Sequence, residues 1–187
     1  MTLFNLFTTS IFSNNPVFIK LLGLYPYVKQ PTKLSKNIII TSITGLFMII
    51  FNIIIYFIYK YLLLPLEIEF LLTGILVILF IMILKITKLL AKKIYDEEKV
   101  ELYFSSVVIN NIILGTSLIS IKEGYNLSET IIFSLGSMIG LGLANYLFAM
   151  IKYRFDQIKV PRSFKGLPII FITLAVISLL VTRYFFV

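Results

Sequence analysis

Apolar residues fall into six blocks, at about 3–24, 38–59, 66–90, 102–121, 130–151 and 167–187, separated by short polar or charged stretches. A helix rising 1.5 Å per residue needs about 20 residues to cross a hydrocarbon core of roughly 30 Å. The pattern predicts an all-α polytopic membrane protein with six transmembrane helices in a single integral-membrane domain over 1–187. Two blocks are interrupted inside, one at Ser13-Asn14-Asn15-Pro16 and the other at Ile109-Asn110-Asn111-Ile112. An interior proline removes a helix hydrogen bond, and a buried amide without a partner costs about 2–7 kcal/mol. Helices 1 and 4 are therefore expected to break near the midplane. Intramembrane polar groups mark functional sites by default, so Asn14, Asn15, Asn110 and Asn111 are candidate site residues. In the fifth block Gly136, Gly140 and Ala144 form a small-residue stripe on one helix face, which lets another backbone approach closely.

Composition agrees: 59% of the 187 residues are hydrophobic and 14% charged. Mean hydropathy is +0.99. Soluble domains are about 25% charged. No basic run precedes the first block and no small-residue cleavage site follows it, so that block reads as a span rather than a secretory leader. With neither cysteine nor histidine, the chain has no thiolate or imidazole to ligate a metal or act as a nucleophile. No phosphate-binding glycine loop, catalytic triad or carboxylate dyad is present, so metal ligands and catalytic residues are expected to be none.

The net charge of +8 is distributed unevenly. Lys29, Lys33, Lys36, Lys88, Lys92, Lys93, Lys99, Lys152, Arg154, Lys159, Arg162 and Lys165 fall in or beside the loops after blocks one, three and five. Only Lys60, Lys122 and Arg183 belong to the other face, while Lys20 and Lys85 can snorkel to the basic one. By the positive-inside rule the basic face is cytoplasmic and both termini lie outside. This bias accounts for the charge without nucleic acid as a partner. Asn126-Leu127-Ser128 fits a glycosylation sequon, a pattern that arises often by chance.

The two Asn pairs stand 96 positions apart (14 to 110), as do Pro65 and Pro161 ahead of the third span of each half. Equal offsets suggest a duplication, repeat 1 at about 1–92 and repeat 2 at about 93–187. Three spans per copy force the second to enter the membrane from the opposite side. Inverted-repeat membrane folds place their sites at the midplane, on broken helices.

The segment Asn14-Asn15-Pro16-Val17 with Lys20-Leu21-Leu22-Gly23-Leu24-Tyr25-Pro26 resembles the N-terminal signature of a known membrane family. Asn110 through Leu114-Gly115, Leu147-Phe148-Ala149 and Val160-Pro161-Arg162-Ser163-Phe164-Lys165-Gly166 resemble its later motifs. The family is the one that contains the A-type membrane component of the Rnf ion-translocating oxidoreductase and the E-type component of the Na⁺-translocating NADH:quinone oxidoreductase. The resemblance implies a six-helix inner-membrane subunit, not catalytic alone. It works in a six-subunit complex that couples electron transfer between NADH and ferredoxin-type carriers to Na⁺ or H⁺ translocation. It also implies pairing with the paralogous E-type component around an iron–sulfur centre. The positions matching the family's cysteines hold Tyr25 and Asn111, and Lys88 stands near where the family tends to carry an acid. Phenol and amide replace the thiolates that hold such clusters, so no cofactor is predicted from this chain. The expected midplane lining is Asn14, Asn15, Tyr25, Asn110 and Asn111. Two alternatives are a small stand-alone secondary transporter and a scaffold subunit that has lost its redox centre.

Overall fold

A computed structural model describes residues 2–23, 34–93, 95–97, 100–101, 104, 107, 110–157, 161, 164 and 167–185. Among them all regular structure is helical. The elements are α1 (Leu3–Ile11), α2 (Pro16–Lys20), α3 (Leu34–Ile58), α4 (Leu72–Lys92), α5 (Ile112–Lys122), α6 (Leu127–Gln157) and α7 (Leu167–Phe185).

The first block is broken at the Asn pair. Thr2 caps α1 by accepting from the Asn5 N–H at 3.4 Å, and α1 ends after nine residues. A turn over 12–15 follows, and α2 starts at Pro16, where proline's missing N–H costs nothing. Leu21, at φ 52°, and Gly23, at φ 84°, then turn the chain out of α2 through left-handed backbone. In the fourth block Val107 is helical, Asn110 is not, and α5 begins at Ile112.

Three stretches among the described residues are long and apolar enough to cross a membrane: Ile38–Leu63, Glu69–Lys92 and Leu127–Ile151. The first joins α3 to a π-helical turn at Tyr59–Leu63, so it runs past the expected end at 59. Hydropathy starts the third block near 66, but a turn with Glu67 at φ 57° and a 3₁₀ turn at Glu69–Leu71 delay α4 to Leu72. The fifth block extends at both ends of the expected 130–151. Its start is set by a reciprocal cap. Asn126 Oδ1 accepts from the Glu129 N–H at 2.9 Å, and Glu129 Oε2 accepts from the Asn126 N–H at 2.8 Å. The sequon asparagine is thus a helix cap.

The core lies between α3, α5 and α6, with α1 and α2 against α6. Phe47, Phe51 and Phe80 fasten α4 to α3, the Phe80 ring meeting the other two edge-on at 6.0 and 5.7 Å. The outward face of α4 carries Val77, Ile78, Ile81, Met82 and Leu89, all exposed. Lys88 bonds Glu101 at 2.7 Å, and Lys92 pairs with Glu97 and Glu101, tying the end of α4 to the chain beyond it.

Candidate functional site

The glycines of α6 let the first break come in close. A methyl group at Gly136 would press on the Ser10 side chain and the Phe7 carbonyl. One at Gly140 would run into the Asn15 amide and the Ile11 carbonyl. Ala144 completes the stripe and is buried. The stripe therefore faces α1 and the turn after it, and it seats Asn15 in the bundle.

Asn15 is fully buried and fully used. Its Oδ1 accepts from the Val17 N–H at 2.8 Å, capping α2, and its Nδ2 donates to the Ser10 carbonyl at 2.7 Å. The amide thus satisfies one backbone group on each side of the break, the condition for interrupting a helix in lipid. Asn14 is half-buried, and its side chain lies within hydrogen-bonding reach of the Tyr125 hydroxyl in the α5–α6 turn. Burial, and then the Glu123 carboxylate, push the Tyr125 phenol up, and the Asn14 contact opposes them.

The second pair divides its labour differently. Asn110 is buried, and its Oδ1 accepts from the Ile112 N–H at 3.3 Å, as Asn15 does for Val17. Its Nδ2 has no partner. Asn111 is exposed, and its Oδ1 accepts from the Gly23 N–H at 2.9 Å. That bond joins the two breaks. Gly23 is needed twice over: its φ is positive, and a methyl group there would sit 3.0 Å from Asn110 Oδ1 and 3.1 Å from Ile112 Cβ. Gly115 likewise admits the Leu22 side chain. Of the predicted site residues, Asn15, Asn110 and Asn111 gather around these two turns, Asn14 points towards Tyr125, and Tyr25 lies outside the described residues.

Sequence reasoning missed a second buried amide cluster. Asn52 of α3 donates to Thr116 Oγ1 of α5 at 3.2 Å and to Ser134 Oγ of α6 at 2.7 Å, and its Oδ1 accepts from the Ser117 hydroxyl. Thr116 and Ser134 spend their own protons on the Ile112 and Thr130 carbonyls one turn back, at 2.9 and 2.7 Å. Their lone pairs are thereby left for the amide. One turn further out, the Ser120 and Thr130 hydroxyls meet at 2.9 Å. The signal was in the sequence, where Asn52 is an interior polar residue of block two, but partners 64 and 82 positions away were not readable from spacing.

The iron–sulfur centre implied by the resemblance needs thiolates, and the chain has none. Asn111, which the resemblance aligns with a family cysteine, gives its oxygen to Gly23. These residues do not fit a thiolate-held cluster. Among the described residues, no group of three or more acidic, histidine or cysteine side chains could hold a metal ion.

A helical bundle with membrane-length apolar spans and two broken segments joined by the Gly23–Asn111 hydrogen bond defines an integral membrane protein of the broken-helix class. A family model described as "Rnf-Nqr subunit, membrane protein" matches residues 3–187, and the chain belongs to that family. It is 29% identical over 172 residues to a protein of Shewanella piezotolerans named as the A component of an ion-translocating oxidoreductase complex, covering 91% of this chain and 90% of that one. A protein of the same name from Actinobacillus pleuropneumoniae serotype 5b is 29% identical over 168 residues, covering 89% and 87%.

Proposed function

We propose that this chain is the A-type membrane subunit of an ion-translocating oxidoreductase complex. It contributes membrane-embedded structure rather than a complete active site. Its two halves, about 1–92 and 93–187, are inverted repeats, and Asn14, Asn15, Tyr25, Asn110 and Asn111 line the junction between them. The partners are the other subunits of a six-subunit assembly, above all the paralogous E-type component. The setting is the bacterial inner membrane, with both termini on the periplasmic side.

One observation carries the partner claim. Asn111 is exposed on the surface of the chain at the level of the break, where lipid would otherwise surround it. A polar group facing lipid at that depth is costly, and a second chain with its own broken helix would relieve the cost. A photo-crosslinking residue at position 111, in cells that carry the whole assembly, tests this. A crosslink to another subunit of the complex is expected. Crosslinks to lipid alone, together with failure of the tagged chain to co-purify with any oxidoreductase subunit, would overturn the reading. The missing thiolates favour one variant of it, a scaffold that has lost its redox role. Iron content and visible absorbance of the intact complex separate the scaffold from a redox-active subunit.

A further inference from the structure

A cavity of about 250 Å³ lies away from the junction of the two breaks, where α3 leads towards α4 and α5 leads into α6. Its floor is chemically closed. Asn52, Ser117 and Ser120 line it there, and all three have hydrogen-bond partners within the bundle. Its rim is different. Tyr56, Tyr59 and Lys60 line it from the last turn of α3 and the π-helical turn that follows. Such turns are rare and occur often at functional sites.

Lys60 Nζ donates to the Tyr56 hydroxyl at 3.1 Å. It also lies 5.5 and 6.0 Å from the centres of the Tyr56 and Tyr61 rings. The ammonium is therefore positioned by a hydroxyl and two rings. Among the described residues no carboxylate pairs with it, whereas Lys88 and Lys92 at the far end of α4 are both paired. An ammonium has three protons to donate, and this one gives a single proton to protein. The Tyr56 hydroxyl accepts from Lys60, and its own proton has no acceptor among the described residues. Two donors, one of them charged, thus stand side by side on one cavity.

The surroundings narrow the ligand to one class. No carboxylate lines the cavity, so a cationic group finds no counter-charge there. Glu69 and Glu129 stand close by but are engaged, the first by the Tyr59 hydroxyl at 3.3 Å and the second by the Asn126 N–H at 2.8 Å. These flanking carboxylates disfavour a doubly charged anion and tolerate a singly charged one. The walls are apolar, formed by Ile55, Leu64 and Ile121. The apolar span Ile38–Leu63 ends at this level, the depth of lipid headgroups, where tyrosines gather in membrane proteins. Leu62, Leu64 and Leu66 are exposed around the rim. A volume of 250 Å³ equals that of about eight water molecules, enough for a headgroup and too little for a whole lipid.

We propose that this cavity binds the headgroup of an anionic phospholipid. The phosphodiester carries one negative charge and accepts from Lys60 Nζ and the Tyr56 hydroxyl, both of which it can reach at once. The alcohol part of the headgroup fills the cavity above its closed floor, and the acyl chains leave past the exposed leucines of the rim. A headgroup that ends in an amine is disfavoured, because its positive charge would meet Lys60 with no carboxylate in the lining. The site is complete within this chain and does not depend on the subunit reading above.

The test uses the purified full-length chain, stripped of lipid in detergent and titrated with phosphatidylglycerol or phosphatidylcholine, with bound lipid counted by native mass spectrometry. One phosphatidylglycerol is expected to bind in clear preference to phosphatidylcholine. Lys60→Gln is expected to weaken it about tenfold, the loss of one charged hydrogen bond, and Tyr56→Phe to weaken it less. Lys60→Arg, which keeps the charge, should retain it. Lys122→Gln, at the same end of the bundle but outside the cavity lining, should leave it unchanged. If Lys60→Gln is not monodisperse, Tyr56→Phe carries the comparison. The proposal is overturned if the wild type binds the two lipids alike, or if folded Lys60→Gln and Tyr56→Phe both bind as the wild type does. It is also overturned if Lys122→Gln weakens binding as much as Lys60→Gln, which would make the effect one of general surface charge. Inorganic phosphate is added as a competitor. Displacement of the lipid at equal concentration would make free phosphate the ligand and would overturn the lipid assignment.

Discussion

At the scale of single residues, side chains of one type take different roles according to the backbone groups within reach. Asn15 meets a carbonyl on one side of its break and an N–H on the other, and nothing of it remains for a ligand. Asn110 meets only an N–H, so its amide nitrogen stays available. Asn15→Ala is therefore expected to destabilise the fold by about 1 kcal/mol through the lost cap, more if the Ser10 carbonyl is left unmet. Thermal unfolding in detergent would check this. Gly140→Leu should be worse than Gly140→Ala, since either side chain must displace Asn15 and the Ile11 carbonyl. Overpacking of this kind costs typically about 1–3 kcal/mol, read as a lower melting temperature. Gly23→Ala adds left-handed strain of about 1–2 kcal/mol and crowds Asn110.

At the scale of elements, α3, α5 and α6 are held together by hydrogen bonds in places where lipid provides no hydrophobic drive. Asn52 alone reaches all three helices. Asn52→Leu leaves the back-bonded hydroxyls of Thr116 and Ser134 satisfied and deprives Ser117 of one acceptor while its Ile113 carbonyl contact remains. The expected loss is about 1–2 kcal/mol, within the range for single polar contacts between membrane helices. Unfolding in mixed micelles would measure it. The Lys88–Glu101 pair acts at the basic end. Hydrogen bonding to Lys88 and Lys92 holds the Glu101 carboxyl below its usual range. Its contribution is thus present at neutral pH and is lost as pH falls through the lowered value. Cleavage around 93–97 by an acid-active protease should rise as pH falls through that lowered value, and Glu101→Gln should give the same rise at neutral pH.

At the scale of the whole molecule, the charge bias gives a topology prediction that a cysteine-free chain makes easy to test. Single cysteines placed at Glu123 and Lys93 should label oppositely with a membrane-impermeant thiol reagent. The first should react in intact cells whose outer membrane admits the reagent, the second only after lysis. The same pattern with the sides exchanged would reverse the orientation.

The class of fold was written in the apolar blocks, because a bilayer demands long uncharged helices and leaves few other solutions. The first break was equally readable, since Asn14-Asn15-Pro16 cannot continue a helix without an unmet backbone group. The small-residue stripe announced a close approach but not by what; only the folded chain shows Asn15 and Ser10 seated on it. Element edges were less legible. Glu67 in left-handed backbone and the 3₁₀ turn after it are local compromises that hydropathy does not record.

By itself, then, the sequence determined a helical membrane protein, interrupted at two amide pairs, and predicted from its charge bias a basic face. Those properties are local: they depend on what each stretch can bury or hydrogen-bond on its own. Only the tertiary structure decided which polar groups are satisfied. Thr116 and Ser134 find Asn52 across the bundle, while Thr44, Ser137 and Asn145 are left with unmet oxygens. Partners tens of residues apart in the chain are chosen by packing, and a polar side chain in a membrane takes its meaning from the partner it finds or lacks.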